Sequence, residues 1–108
     1  MKLGYMTFVC PEWKIERVVE FAKEAGYDGV EIRVDAGHQH EISSESTAET
    51  RQSVKKLFAD QGIEIPAVAT SVMTASPDPQ VHQEHIDAGK ANLDLAANLG
   101  AGLVRIFA

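Results

Sequence analysis

Cysteine is nearly absent from this sequence: Cys10 stands alone, which excludes an internal disulfide framework and suits a reducing compartment. Long apolar runs are missing too. No stretch reaches the roughly 18 residues of a membrane-spanning helix. The opening MKLGYMTF lacks both an apolar core and a small-residue cleavage site, so it does not read as a signal peptide. Positive charge is scarce: ten Lys and Arg face sixteen Asp and Glu, for a formal net charge of −6. Nucleic-acid binders need a basic face, and these basic residues form no cluster. Neither nucleic acid nor membrane is therefore expected as a partner, and the expected setting is soluble and cytoplasmic. Low-complexity segments and linkers are lacking. The 108 residues, 44% hydrophobic, suffice for a single small domain over residues 1–108.

What is present is a repeat. AKEAGYDGVEIRV, FADQGIEIPAVAT and AANLGAGLVRIFA each run from a helix end through a glycine into a strand, at Gly26, Gly62 and Gly100. Glycine fits there because the residue after a helix often turns left-handed. Strand one is expected over Leu3 to Val9. Pro11 then suits the first turn of a helix that buries Ile15, Val18, Val19 and Ala22. Strand two is expected over Val30 to Asp35. Ser46 and Glu49 read as a capping box, S-x-x-E, opening a second helix that buries Val54, Leu57 and Phe58. Strand three is expected over Ile63 to Ser71, with Pro66 interrupting its ladder. Asp78 and Pro79 read as N-cap and first position of a third helix, with Ile86, Gly89, Leu93, Ala96 and Ala97 on its apolar stripe. Strand four is expected over Leu103 to Phe107. Strands alternating with helices predict α/β class and a parallel sheet.

Strand two sets the orientation. Val30, Ile32 and Val34 share one face, and Glu31, Arg33 and Asp35 the other. Parallel strands are usually apolar on both faces, so three ionisable side chains on one face need the interior of a curved sheet open at its C-terminal end. Offsets from the three glycines align Glu31, Arg33 and Asp35 with Ala67, Ala69 and Ser71, and with Arg105 and Phe107. Small residues beside long charged ones are how barrel layers fill. A one-residue slip would exchange the faces.

The segments CPEWKIERVVEFAKEAGYDGVEIRVD, QGIEIPAVATS and AANLGAGLVRIF resemble the opening half of the xylose isomerase-like TIM-barrel superfamily, which includes sugar and sugar-phosphate isomerases and epimerases, dehydratases and endonuclease IV-type enzymes. The resemblance implies four strands and three helices of a (β/α)8 barrel. It also implies a parent that binds a divalent metal, Mg, Mn or Zn, through carboxylate and histidine ligands on later strands. No position here matches that ligand set, so no metal residue is assigned. What the resemblance places in this half is the substrate-side wall: the region of Phe8, Cys10 and Trp13, then Glu31 and Arg33, the histidine loop, and Arg105.

Each candidate has a chemical and a plain reading. His38 and His40, two apart, are able to grip a polyol or a metal together, or to be ordinary loop residues. Glu31 suits a hydrogen bond to a sugar hydroxyl or acid/base work, and Arg33 a carboxylate or phosphate; alternatively the two pair with each other or with Arg105 to neutralise buried charge. Asp35 could be a strand-end cap. Trp13 and Phe8 are able to stack on a sugar ring or simply pack. Ser71 is small and well placed at a strand end. His82 and His85 read as surface residues, and Cys10 lacks a neighbouring base. No glycine-rich phosphate loop occurs.

The expected function is thus the N-terminal half of a metal-dependent sugar or sugar-phosphate isomerase or epimerase, inactive alone, with substrate contacts from Trp13, Glu31, Arg33, His38, His40, Ser71 and Arg105. Alternatives are a dehydratase of the same superfamily, an endonuclease IV-like phosphodiesterase, and a non-catalytic half-barrel that self-assembles. The last strand runs into Ala108, so the expected state is a fragment completed by other copies of itself or by the missing barrel half.

Overall fold

A computed structural model describes all of residues 1–108. Strand β1 is Gly4–Met6, followed by a 3₁₀ turn, Thr7–Val9; helix α1 is Ile15–Ala25 and strand β2 Gly29–Arg33. Helix α2 is Ala48–Gln61, strand β3 Ala67–Met73, helix α3 Pro79–Leu99 and strand β4 Leu103–Phe107. The four strands form one sheet in the order β1-β2-β3-β4, with every neighbouring pair parallel. Each step along the sheet therefore passes through a helix, which is the build of half a TIM barrel.

All three helices stop where the repeat places a glycine. Gly26, Gly62 and Gly100 take φ of 79°, 70° and 80°, a region that costs a residue with a Cβ about 1–2 kcal/mol. At the other end of α3, Asp78 accepts hydrogen bonds from the N–H groups of Gln80 and Val81, with Pro79 in the first turn. The helix-facing side of the sheet is the core. Val30, Ile32, Val34 and Val68 are fully buried against Val18, Val19 and Ala22 of α1, Val54 and Phe58 of α2, and Leu95, Ala96 and Leu99 of α3.

Several boundaries differ from the sequence reading. Strand β1 ends at Met6 because Thr7 bends the chain: its Oγ1 accepts the Arg33 N–H at 2.8 Å, in place of a ladder bond, and its carbonyl accepts the Cys10 N–H. Pro11 lies in a separate turn, and α1 begins only at Ile15, after Lys14. The cap of α2 is Thr47, whose Oγ1 accepts the Thr50 N–H, while Ser46 is drawn back to accept the Ser43 N–H; the capping box expected at Ser46 and Glu49 does not form.

Strand β3 starts at Ala67 rather than Ile63. Glu64 makes a lone bridge to Gly29, and Pro66, without an N–H, breaks the ladder before it resumes. On α3 the buried stripe is Asn92, Leu95, Ala96 and Leu99; Leu93 and Ala97 point outward. The stripe rotates because Asn92, polar but fully buried, donates its amide to the Asp35 carboxylate and the Ala88 carbonyl.

Candidate functional site at the C-terminal end of the inner face

Directly opposed residues in a parallel sheet point to the same side. The pairings Met6 with Glu31, Arg33 with Ala69, and Ala69 with Arg105 therefore set Glu31, Arg33, Ala69 and Arg105 on the face away from the helices. The alternation read from strand two holds for Glu31 and Arg33. It fails at Asp35: two residues past the strand, it takes a left-handed φ of 56°, and its carboxylate turns toward Asn92 in the helix layer. Asp35 is thus a link to α3 rather than an inner-face group.

Arg33 is half-buried. Its guanidinium donates to the carbonyls of Val34 and Ala69 and to the Ser71 hydroxyl. Arg105, in the same row across the sheet, donates to the Thr70 carbonyl at 3.1 Å and lies 4.2 Å from the centroid of the Phe107 ring. Thr70 completes the link by donating its hydroxyl to the Arg105 carbonyl. Neither arginine has a carboxylate partner. The ion pairs of the structure join Lys2 to Glu64, Arg17 to Glu20 and Glu24, and Lys56 to Asp60, all elsewhere. The pairing of Glu31 with Arg33 or Arg105 expected from sequence does not form. The Arg33 guanidinium reaches forward to Ser71, past the strand end, while Glu31 stays one layer deeper beside Met6 and Ala67. Burial and the nearby Arg105 charge pull the Arg33 pKa below its ordinary value, against a smaller opposing effect of Asp35; as an arginine it remains a cation.

The loop after β2 is tied to the turn before α1 by the Gln39 N–H, which donates to the Pro11 carbonyl at 2.8 Å. Within it, His40 is buried and has no nitrogen to spare. Its Nδ1 accepts the Ile42 N–H at 2.9 Å, so Nε2 carries the proton and donates to the Arg33 carbonyl at 2.9 Å. Burial holds its pKa below the ordinary histidine value. His38 packs its ring edge-on to His40 and near Phe8, and its buried Nδ1 has no partner in the chain. The H-x-H pair is therefore not a bidentate grip, since one member is a backbone brace.

The remaining candidates divide. Ser71 joins the Arg33 cluster. Trp13 stands edge-on to Phe21 with the Arg17 guanidinium 4.9 Å from its ring, so its faces are committed to α1. Phe8 is largely exposed. Cys10 is buried and its thiol pushed up by burial, unlike a reactive cysteine. His82 and His85 fasten the loop after β3 through the Thr74 carbonyl and the Met73 N–H. Sequence reading missed the bracing role of Thr7, Thr70 and His40; for the two threonines a polar residue inside an apolar strand was the available signal, and for the loop residue His40 there was none. The side chains present do not fit a divalent metal, since no group of three or more His, Cys, Asp or Glu is arranged to hold one.

Comparison with known proteins agrees with this architecture. Residues 19–108 match the family model described as xylose isomerase-like TIM barrel. No match was found among curated proteins. Among solved structures, the chain is similar to the probable 3-DHS dehydratase AsbF from Bacillus anthracis, at 19% identity and a TM-score of 0.77, covering 100% of this chain and 38% of that one. It is similar to D-psicose 3-epimerase from Clostridium cellulolyticum H10, at 18% identity and 0.76, covering 98% and 37%. A third is the 3-keto-D-glucoside 4-epimerase YcjR from E. coli, at 16% and 0.73, covering 96% and 36%. At such identities the likeness establishes the fold. The chain spans between 36% and 38% of the length of these three structures.

Proposed function

The chain belongs to the xylose isomerase-like TIM-barrel family, and from that premise we propose that it forms the substrate-side wall of a metal-dependent sugar or sugar-phosphate isomerase or epimerase. The observation that carries this reading is the inner-face cluster: Arg33, Ser71 and Arg105 converge at the C-terminal end of parallel strands, where barrel enzymes bind their substrates. Two of the similar structures are epimerases by description. Isomerases and epimerases of this kind move a proton at a carbon beside a carbonyl, which calls for an acid, a base and a charge-stabilising group. The divalent metal and the proton-transfer groups belong, on this reading, to barrel strands outside these 108 residues. Those strands would also cover the exposed Leu103 and Phe107. A dehydratase of the same family is the competing reading, because one similar structure is described as one.

The test uses a protein carrying these residues together with the remaining strands, supplied with Mn²⁺ and a ketose in D₂O. Deuterium entering the carbon next to the carbonyl supports an isomerase or epimerase. Loss of water without exchange into recovered sugar selects the dehydratase instead. The 108-residue chain alone is expected to show no turnover, and turnover by it would refute the division of labour.

A further inference from the structure

The two guanidiniums of the inner face are an unusual pair. Arg33 and Arg105 flank Ala69 on adjacent strands, so their Cα atoms stand about 10 Å apart, two strand spacings. Side chains of that length converge easily over a methyl group. Both are fixed in advance: Arg33 by two carbonyls and Ser71, Arg105 by the Thr70 carbonyl and the Phe107 ring. Both keep donors to spare. The Nε–H groups of both arginines and the Nη2 of Arg105 have no partner in the chain.

Like charges held side by side repel, and each half-buried cation has lost part of its hydration. Proteins ordinarily relieve this with a carboxylate, yet no ion pair reaches either arginine. Glu31 stays in the deeper layer and Asp35 is held by Asn92. Paired planar forks with free N–H groups match the oxygens of a carboxylate or phosphate.

We propose that Arg33 and Arg105 together bind the oxyanion of the substrate, a sugar acid or sugar phosphate, at the C-terminal end of the inner face; Ala69 between them is fully buried, so the anion meets the free N–H groups of the two guanidiniums from the solvent side. Ser71 is the positioning residue that holds Arg33 in place. The inference rests on the inner face being the substrate wall, and it narrows the substrate to an anionic sugar derivative.

The decisive measurement is an NMR titration following the arginine Nε–H signals of this chain, with inorganic phosphate, D-gluconate and neutral D-fructose in separate arms. The expected result is that phosphate, gluconate or both move the Arg33 and Arg105 signals together along one saturation curve, while fructose does not. Whichever anion binds more tightly identifies the headgroup. Arg105→Gln is expected to weaken binding read at Arg33 by about tenfold or more, as loss of a charge-assisted contact should. Arg105→Lys, which keeps the charge but not the fork, should fall between. No movement with either anion overturns the proposal on the unsubstituted chain alone, whatever the variants do. Equal movement with fructose also overturns it, but leaves the isomerase or epimerase reading standing. Binding at Arg33 that is unchanged in a folded Arg105→Gln chain would overturn the pairing.

Discussion

The two faces of one sheet behave oppositely. On the helix side, Val30, Ile32, Val34 and Val68 are 0% exposed, and the core they form is closed by the chain's own three helices. On the other side, Leu103 and Phe107 are about half exposed, and the row Arg33–Ala69–Arg105 carries two cations without an acid. The helix side is filled for stability; the inner side mixes cations with exposed apolar side chains over the buried Ala67 and Ala69. Fold and candidate site are thereby separated by the two-residue period of a strand, and adjacent residues such as Ile32 and Arg33 serve different ends.

That contrast is broken most directly by substituting those neighbours one at a time. Ile32→Ala removes buried methyl groups from the centre of the core and is expected to cost about 2–5 kcal/mol. Arg33→Gln should cost less, no more than about 1.5 kcal/mol, since the hydrogen bonds lost to the Val34 and Ala69 carbonyls and to Ser71 are offset by removal of a cation that no carboxylate neutralises. Urea unfolding of both variants checks the pair. A loss at Arg33 as large as at Ile32 would mean that the inner face is structural.

The next largest effect sharpens the boundary between the faces. His40 sits in the loop at the strand end but works for the fold, bridging the Arg33 carbonyl and the Ile42 N–H. His40→Ala leaves those two groups without partners, an expected loss of about 1–3 kcal/mol. Its pH dependence has a definite sign. Burial holds the folded-state pKa below the unfolded value of about 6.5. Below that pH the unfolded chain binds the extra proton, so stability falls as pH drops from about 6.5 toward the folded pKa and is regained as pH rises. Urea midpoints between pH 7 and 5 should show a slope that is shallower in His40→Ala. An unchanged slope would show that His40 titrates alike in both states.

How much of this was legible in the sequence follows from what each signal depends on. The three glycines, the Asp78–Pro79 helix start and the faces of Glu31 and Arg33 are local or periodic, and all were readable. The early end of β1 was not, because it depends on Thr7 reaching the N–H of Arg33, 26 residues away. Asn92 displaced Leu93 from the buried stripe of α3 for the same kind of reason, since its partner Asp35 lies 57 residues back. The candidate site divided likewise. Arg33, Ser71 and Arg105 followed from alternation, whereas the engagement of both His40 nitrogens and the commitment of Trp13 to α1 depend on three-dimensional neighbours.

The smallest expected effect lies at the exposed end of the contrast. Leu103 opposes Ala67 on the inner face and is 58% exposed. Little apolar surface is therefore removed from water by folding at this position. Leu103→Ser should then shift the unfolding free energy by no more than about 0.5 kcal/mol in dilute solution. An exposed leucine on the same face of the edge strand as Phe107 is also a surface that other chains can cover. Sedimentation at rising concentration should accordingly show less association for Leu103→Ser than for the unsubstituted chain. A loss above about 2 kcal/mol in dilute solution, of the size seen when core side chains are truncated, would place Leu103 inside a core, and the inner face would no longer be the open side of the sheet.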